Sequence, residues 1–275
     1  MPTDHGKQRL SYLFLCATPF LVTIVAAVRA LRVPGVYQAI GGVLFAAISI
    51  AAWTLGARAI RADAQGRRQL GLAGALLVAP FAVVAVLWVG LSTPWEATAA
   101  ENQMRYLVLI GMAFAVAVGF VVLREALSEA GERFYSTLGF AAIMLAGPLY
   151  LIWNSFMFGA FSAKEHTGQV PPAIVSLNEI LFLGGGLTYV ATAAFTASFG
   201  RVEWLGRRAS RVFMIVNFVA VLFLIIRGLQ YPDPAALSRP WYTSPGFVVG
   251  IPAVPFIMPF LFGVLLLRRA GEEQP

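Results

Sequence analysis

Eight hydrophobic stretches, each about as long as a membrane-spanning helix, run along the chain. Hydrophobic residues make up 59 % of the sequence and charged residues only 12 %. An α-helix needs about 20 mainly apolar residues to cross a bilayer, and it satisfies all its backbone hydrogen bonds internally. The pattern therefore predicts an all-α integral membrane protein with eight transmembrane helices, at roughly 10–31, 36–60, 69–91, 105–124, 137–161, 176–199, 211–230 and 245–267.

The basic residues predict the orientation of these spans. Fourteen of the 20 Lys and Arg residues lie in the two termini, in the links between spans 2 and 3, 4 and 5, and 6 and 7, or at the span ends that adjoin these links. Cytoplasmic loops are the ones enriched in Lys and Arg. We therefore expect a multi-pass protein of a bacterial plasma membrane, with a cytoplasmic N-terminal tail (1–9), a cytoplasmic linker (125–136) and a cytoplasmic C-terminal tail (268–275).

Matched motifs in the two halves predict an internal repeat. Gly90-Leu91-x-x-Pro94-x-x-Ala97 recurs as Gly228-Leu229-x-x-Pro232-x-x-Ala235, and Ala51-Ala52-Trp53-Thr54 recurs as Ala193-Ala194-Phe195-Thr196. Four spans per copy would give a parallel 4+4 repeat, with units 10–124 and 137–267 related by an axis along the membrane normal. The alternative is that both halves share only the composition common to membrane helices.

Polar residues of the second half stand where the first half is apolar or uncharged. Polar groups inside lipid are costly, so each one is a candidate for function. At a rise of about 1.5 Å per residue, Asn154, Glu179 and Arg227 fall toward the outer side of the membrane. We expect Glu179 and Arg227 to pair there. The predicted substrate-binding group is Asn154, Glu179, Arg227, Asn178 and Trp153. The alternatives are a hydrogen bond between helices for Asn154 and snorkelling to the interface for the two charged residues.

Two further features point to the same half of the chain. Thr188, Thr192 and Thr196 recur at every fourth position, which predicts a hydroxyl stripe on one face of span 6. The alternative is that each hydroxyl bonds only the carbonyl four residues earlier. Pro252, Pro255 and Pro259 predict a break in span 8 between Gly250 and Pro259, because each proline removes a helical hydrogen bond.

Several functions are disfavoured by what the sequence lacks. The two histidines lie outside the predicted spans, and the chain has one cysteine, Cys16. Paired axial histidines for haem, histidine-rich di-iron sites and disulfides within the chain are therefore not expected, nor is any metal or cofactor. The net charge of +7 follows the loop bias, and no loop is long enough for a nucleic-acid-reading face, so the lipid bilayer is the expected partner.

The function classes that remain are three. The first is a transporter or permease-like protein that binds a small polar or zwitterionic solute from the outer side. The second is an intramembrane enzyme that acts on a lipid or isoprenoid with Glu179 as acid, and the third is a non-catalytic membrane subunit. A transporter predicts polar groups at more than one depth, whereas an enzyme predicts an apolar pocket with one titratable group directed into it.

Overall fold

A computed structural model describes residues 3–27, 35–90, 96–169, 173–230 and 254–272 of the chain. Within these ranges the chain is all-helical, with no β-strand, which confirms the predicted all-α class. The helices are α1 (Thr3–Ala27), α2 (Val36–Leu55), a 3-10 helix (Ala57–Arg61), α3 (Gln65–Gly90), α4 (Ala99–Glu129), α5 (Phe134–Thr167), α6 (Ala173–Arg201), α7 (Arg207–Gln230) and α8 (Ile257–Gly271).

Six of these helices, α2 to α7, are long and apolar enough to cross a membrane. The described residues thus form a polytopic helical protein of membrane type, while the predicted count of eight spans is not confirmed. The 15 residues of α8 rise only about 22 Å, which is less than the ~30 Å hydrocarbon core.

The start of α8 agrees with the predicted break in span 8, in the part that the structure describes. Residues 254–256 form a bend and a turn, and the helix begins at Ile257. Pro259 lies in the first turn of α8, where a missing N–H costs no helical hydrogen bond. The rest of the predicted break, with Gly250 and Pro252, lies outside the described residues.

Contacts divide the chain into two compact units. The first comprises Met1–Leu123, Asn154–Val170 and Pro259–Pro275, and the second comprises Arg124–Trp153 and Pro171–Met258. The first unit therefore contains α1 to α3, most of α4, the second half of α5 and nearly all of α8. The predicted repeat units 10–124 and 137–267 stay a prediction, and the internal repeat is not confirmed.

In the first unit, glycines bring α8 against α2 and α3. A methyl group on Gly56 would lie 1.8 Å from the carbonyl oxygen of Leu267, and one on Gly271 would lie 2.0 Å from the carbonyl oxygen of Leu55. A methyl group on Gly263 would lie 2.8 Å from the carbonyl oxygen of Gly74. Only glycine fits at these backbone contacts.

Side chains of other elements also bind the last turn of α8. Arg67 donates from Nε and Nη2 to the carbonyl of Ala270, at 3.3 and 3.2 Å, and Gln8 donates to the carbonyl of Gly271 at 3.4 Å. The last carbonyls of a helix have no partner within the helix, so these bonds cap α8.

At the other end of this unit, the N-terminus of α4 carries a capping box. The Thr98 N–H donates to Oε2 of Glu101 at 3.0 Å, and the Glu101 N–H donates to Oγ1 of Thr98 at 3.2 Å. Each side chain satisfies a backbone donor that the helix leaves open, which is why α4 begins at Ala99.

In the second unit, α6 packs along α7. Gly200 allows this approach, because a methyl group there would lie 2.6 Å from Oγ of Ser210 on α7. The first turns of α7 expose Arg207, Arg208 and Arg211. From Val212 to Ile226 the exposed side chains of α7 are apolar and include Ile215, Phe218, Leu222 and Ile225, whereas its buried face carries Ser210, Asn217 and Ala220. A helix that is apolar where exposed and polar where buried is suited to a lipid environment.

Candidate functional site

Thr188, Thr192 and Thr196 form one continuous polar face on α6, here called the hydroxyl ladder. All three side chains are completely buried, whereas Leu183 and Val190 of the same helix are exposed. Their spacing of four residues places the hydroxyls about 6 Å apart along the helix, so the ladder covers about 12 Å. The polar face of α6 is thus directed into the second unit.

Each hydroxyl of the hydroxyl ladder lies within hydrogen-bonding distance of the carbonyl four residues earlier. The distances are 2.9 Å from Thr188 to Gly184, 2.9 Å from Thr192 to Thr188, and 2.7 Å from Thr196 to Thr192. This confirms the local bonding that sequence reasoning held as the alternative. It does not account for the whole arrangement, because Thr188 and Thr192 also contact side chains of other helices.

Tyr150 of α5 contacts the rung nearest the start of α6. Its phenol oxygen lies 3.0 Å from Oγ1 of Thr188. Either oxygen can donate in this pair, because the Thr188 hydroxyl also has the Gly184 carbonyl in reach at 2.9 Å. The Tyr150 ring also packs beside Gly184, where a methyl group would lie at van der Waals distance, 3.4 Å from the ring atoms.

Asn217 of α7 meets the middle rung. Thr192 Oγ1 lies 2.6 Å from Oδ1 of Asn217, whose Nδ2 donates to the carbonyl of Phe213 at 2.8 Å. One turn lower, Ser210 of α7 donates to the carbonyl of Thr196 at 3.0 Å. Hydrogen bonds therefore join α6 and α7 at two depths.

The predicted site residues fall in several places. Trp153 and Asn154 are consecutive in α5 and both are buried, while Glu179 in the second turn of α6 is partly exposed. The backbones of Asn178 and Arg227 are helical, but their side chains lie outside the described residues. The convergence of all five residues, with a Glu179–Arg227 pair, stays a prediction.

Arg105 is a buried charge at the first residue of predicted span 4, and the sequence did not single it out as a candidate for function. Its side chain is only 6 % exposed, in the second turn of α4, and Nη1 donates to Oδ1 of Asn102 at 2.5 Å. The next residue, Tyr106, stacks on Phe161 with ring centroids 5.8 Å apart. The helical spacing Asn102-x-x-Arg105 is the sequence signal that could have indicated this buried cluster.

Glu132, in the link between α4 and α5, is a second buried charge that the sequence did not single out. Its carboxylate accepts from the N–H of Tyr135 at 2.9 Å and from that of Ser136 at 3.0 Å, so it caps α5. Burial acts to raise the pKa of this carboxyl group. Hydrogen bonds from Ser198, Tyr135 and Ser136 outweigh burial and hold the pKa below its ordinary value.

The chemistry available at the hydroxyl ladder is neutral hydrogen bonding. Its donors and acceptors are hydroxyl groups, a phenol and a carboxamide, and Glu179 lies about 14 Å from Thr188 along α6. In the part of the chain that the structure describes, no three His, Cys, Asp or Glu side chains are grouped to hold a metal. The ladder suits polar groups that exchange hydrogen bonds rather than a nucleophile activated by a base.

Comparison with known protein families, with characterised proteins and with solved structures finds no match for this chain.

Proposed function

We propose that the protein is a transporter-like membrane protein and that the hydroxyl ladder, with Tyr150 and Asn217, lines the path of a small polar or zwitterionic solute. What supports this is the presence of buried polar groups at several depths on one face of a helix that is long and apolar enough to cross a membrane. A transporter needs such groups along its path, whereas an enzyme needs one reactive group in one place.

The bond between Thr192 and Asn217 carries the proposal. The Thr192 hydroxyl has three acceptors in reach, namely Asn217 Oδ1 at 2.6 Å, the Thr188 carbonyl at 2.9 Å and the Tyr189 carbonyl at 3.1 Å. One proton serves one of them at a time. Transfer of this bond to a backbone carbonyl leaves Thr192 bonded and frees Asn217 Oδ1 to accept from a solute. The ladder can therefore exchange partners without leaving a donor unsatisfied.

In this proposal, the charged residues predicted from the sequence bind the solute first, at the outer side of the membrane. Arg227 offers a bidentate partner to a solute carboxylate, and Glu179 offers an acceptor to an ammonium group. Asn154, Asn178 and Trp153 would add neutral polar contacts and an aromatic wall. A zwitterion would meet these residues before it reaches the hydroxyl ladder.

Uptake into proteoliposomes tests the proposal. The probes are radiolabelled proline, glutamine and glycine betaine, each offered to wild-type protein and to Thr192→Val, Asn217→Leu, Glu179→Gln and Arg227→Met. We expect uptake of at least one probe and a loss of about tenfold or more in Asn217→Leu, which corresponds to about 1.4 kcal/mol.

Thr18→Val is the matched control. Thr18 is also completely buried, and its hydroxyl bonds the carbonyl of Phe14 at 2.9 Å within α1. We expect its uptake to equal that of wild type. Equal uptake in all the variants, measured on protein that elutes as a single folded species, contradicts a solute path along the hydroxyl ladder.

A further inference from the structure

The 3-10 helix between α2 and α3 presents two arginines on one side. Arg58 and Arg61 are exposed, whereas Ala57 and Ala59 of the same helix are buried. In a 3-10 helix with three residues per turn, side chains at positions i and i+3 are eclipsed. The two guanidinium groups therefore extend from the same side of this short helix.

Packing against α3 fixes this helix in place. Gly71 of α3 approaches its backbone so closely that a methyl group would lie 2.9 Å from the Ile60 nitrogen and 3.1 Å from the Ala59 carbonyl carbon. The buried alanines of the 3-10 helix and its contact with α3 hold its backbone in place, so the arginines extend from a fixed helix rather than from a free loop. The backbone under the two arginines therefore needs little further ordering when a ligand binds.

An aromatic ring and an apolar stripe adjoin the arginine pair. The Arg61 guanidinium carbon lies 5.3 Å from the centre of the Trp53 ring, in the last turns of α2. Trp53 is 46 % exposed, and Val43 and Ile50, with still larger exposed fractions, continue the same face of α2 away from the arginines. Tryptophan with a stacked cation at the end of an apolar helix is typical of the lipid headgroup region.

This end of the first unit is strongly basic. Contacts of α8 with Gly56, Arg67 and Gln8 bring the start of α1, the 3-10 helix, the start of α3 and the end of α8 together. Eight basic residues lie on these segments, namely Lys7, Arg9, Arg58, Arg61, Arg67, Arg68, Arg268 and Arg269, against the acidic Asp4, Asp63 and Glu272. Each Lys or Arg near an anionic membrane surface adds about 1 kcal/mol of attraction.

We propose that Arg58 and Arg61 hold the phosphate group of an anionic phospholipid, whose acyl chain lies along Trp53, Ile50 and Val43. Two guanidinium groups match phosphate oxygens with several donors each, and Trp53 orients one of them. A free phosphate ion would use the arginines alone. The exposed apolar stripe that begins beside them favours a ligand with a hydrocarbon chain.

Native mass spectrometry of the full chain, released from detergent with added lipid, tests this site. The probes are palmitoyl-oleoyl phosphatidylglycerol and the matching phosphatidylcholine. We expect wild-type protein to retain phosphatidylglycerol at about tenfold lower concentration than phosphatidylcholine. Arg58→Gln/Arg61→Gln is expected to weaken retention of phosphatidylglycerol at least fivefold, and Trp53→Leu is expected to weaken it to a smaller extent.

The matched control is Arg208→Gln/Arg211→Gln, which removes the same charge from exposed arginines at i and i+3 of α7. This variant is expected to retain phosphatidylglycerol as wild type does. Equal losses in both double variants would overturn the proposal in favour of general charge attraction. Displacement of the lipid by 10 mM inorganic phosphate would identify the ligand as free phosphate and would overturn the lipid assignment. If Arg58→Gln/Arg61→Gln does not fold, the single variants Arg61→Gln and Trp53→Leu replace it. Weakened retention of phosphatidylglycerol in both supports the site, and wild-type retention in both overturns it.

Discussion

Thr192 on α6 and Asn217 on α7 are joined by a 2.6 Å contact between Oγ1 and Oδ1, and both side chains are completely buried. Most of the α7 surface that faces away from α6 is apolar and exposed. Lipid offers helices no hydrophobic reason to associate, so packing and hydrogen bonds must hold them together. The Thr192–Asn217 contact thus serves the cohesion of the α6–α7 pair as well as the proposed solute path.

The stability of this pair provides the first prediction. Thr192→Val removes the bond to Asn217, and we expect it to lower the free energy of unfolding by about 0.6 to 1.7 kcal/mol, the range of hydrogen bonds between membrane helices. Thr18→Val removes an equally buried hydroxyl that bonds within its own helix, and we expect a smaller loss. Unfolding in mixed micelles with increasing SDS measures both. Equal losses would show that the bond between the helices adds nothing to the free energy of unfolding beyond that of a bond within one helix.

The second prediction concerns the contact between the end of α2 and α8. Gly56→Ala would place a methyl group 1.8 Å from the Leu267 carbonyl oxygen, so the backbones must separate. We expect the free energy of unfolding to fall by about 1 to 3 kcal/mol, which is the usual cost of overpacking. The comparison is Gly42→Ala on α2, where nothing lies within 4 Å of the added methyl group. Thermal unfolding in detergent distinguishes them, and a Gly56→Ala protein as stable as Gly42→Ala contradicts the contact.

The third prediction is a pH dependence that comes from Glu132. Its pKa in the folded protein lies below its ordinary value of 4.5, so the folded state binds fewer protons there than the unfolded state. The stabilisation is therefore present above about pH 4.5 and is lost as the pH falls through the folded-state pKa.

Glu132→Gln is expected to lower the melting temperature at pH 7 and to reduce the further fall on going to pH 4. Glu125→Gln, at an exposed position of α4, serves as the control and should follow the wild-type profile. A wild-type pH profile in Glu132→Gln would show that the carboxylate adds no stability to the cap of α5.

The fourth prediction is the orientation of the chain. Reporter fusions near residues 64, 130 and 205 should all give cytoplasmic signals, and a fusion near residue 166 should give an external one. The basic residues are the physical cause, since Lys and Arg in short loops resist translocation. The reversed pattern, or a mixture among the first three sites, would make the orientation wrong.

The helical class and the approximate positions of α2 to α7 could be predicted because hydrophobic length is a local property of the sequence. The end of α2 could not. The predicted span 36–60 ends in the structure at Leu55 and passes into a 3-10 helix, where Gly56 lies against Leu267. That contact joins residues far apart in the chain, and no local pattern signals it.

The site shows the same limit. The spacing of Thr188, Thr192 and Thr196 predicted the hydroxyl stripe, yet nothing local indicated that Asn217, 25 residues further on, would meet its middle rung. Arg105 gives a related example. It lies at the start of predicted span 4, where hydropathy alone does not indicate burial, yet its side chain is buried and bonds Asn102, and the adjacent Tyr106 stacks on Phe161 of α5.

The caps on the last turn of α8 have a consequence for how the protein is made. The carbonyls of Ala270 and Gly271 accept from Arg67 and Gln8, which precede them in the chain by 203 and 263 residues and are synthesised first. Joining segments so distant in sequence is slow, because a long loop must close before its contacts stabilise it. During synthesis the first three helices are therefore present before α8 has been made and can pack against them. That period, when the first unit is open to wrong partners, is when a membrane chaperone or a neighbouring copy has most opportunity to bind it.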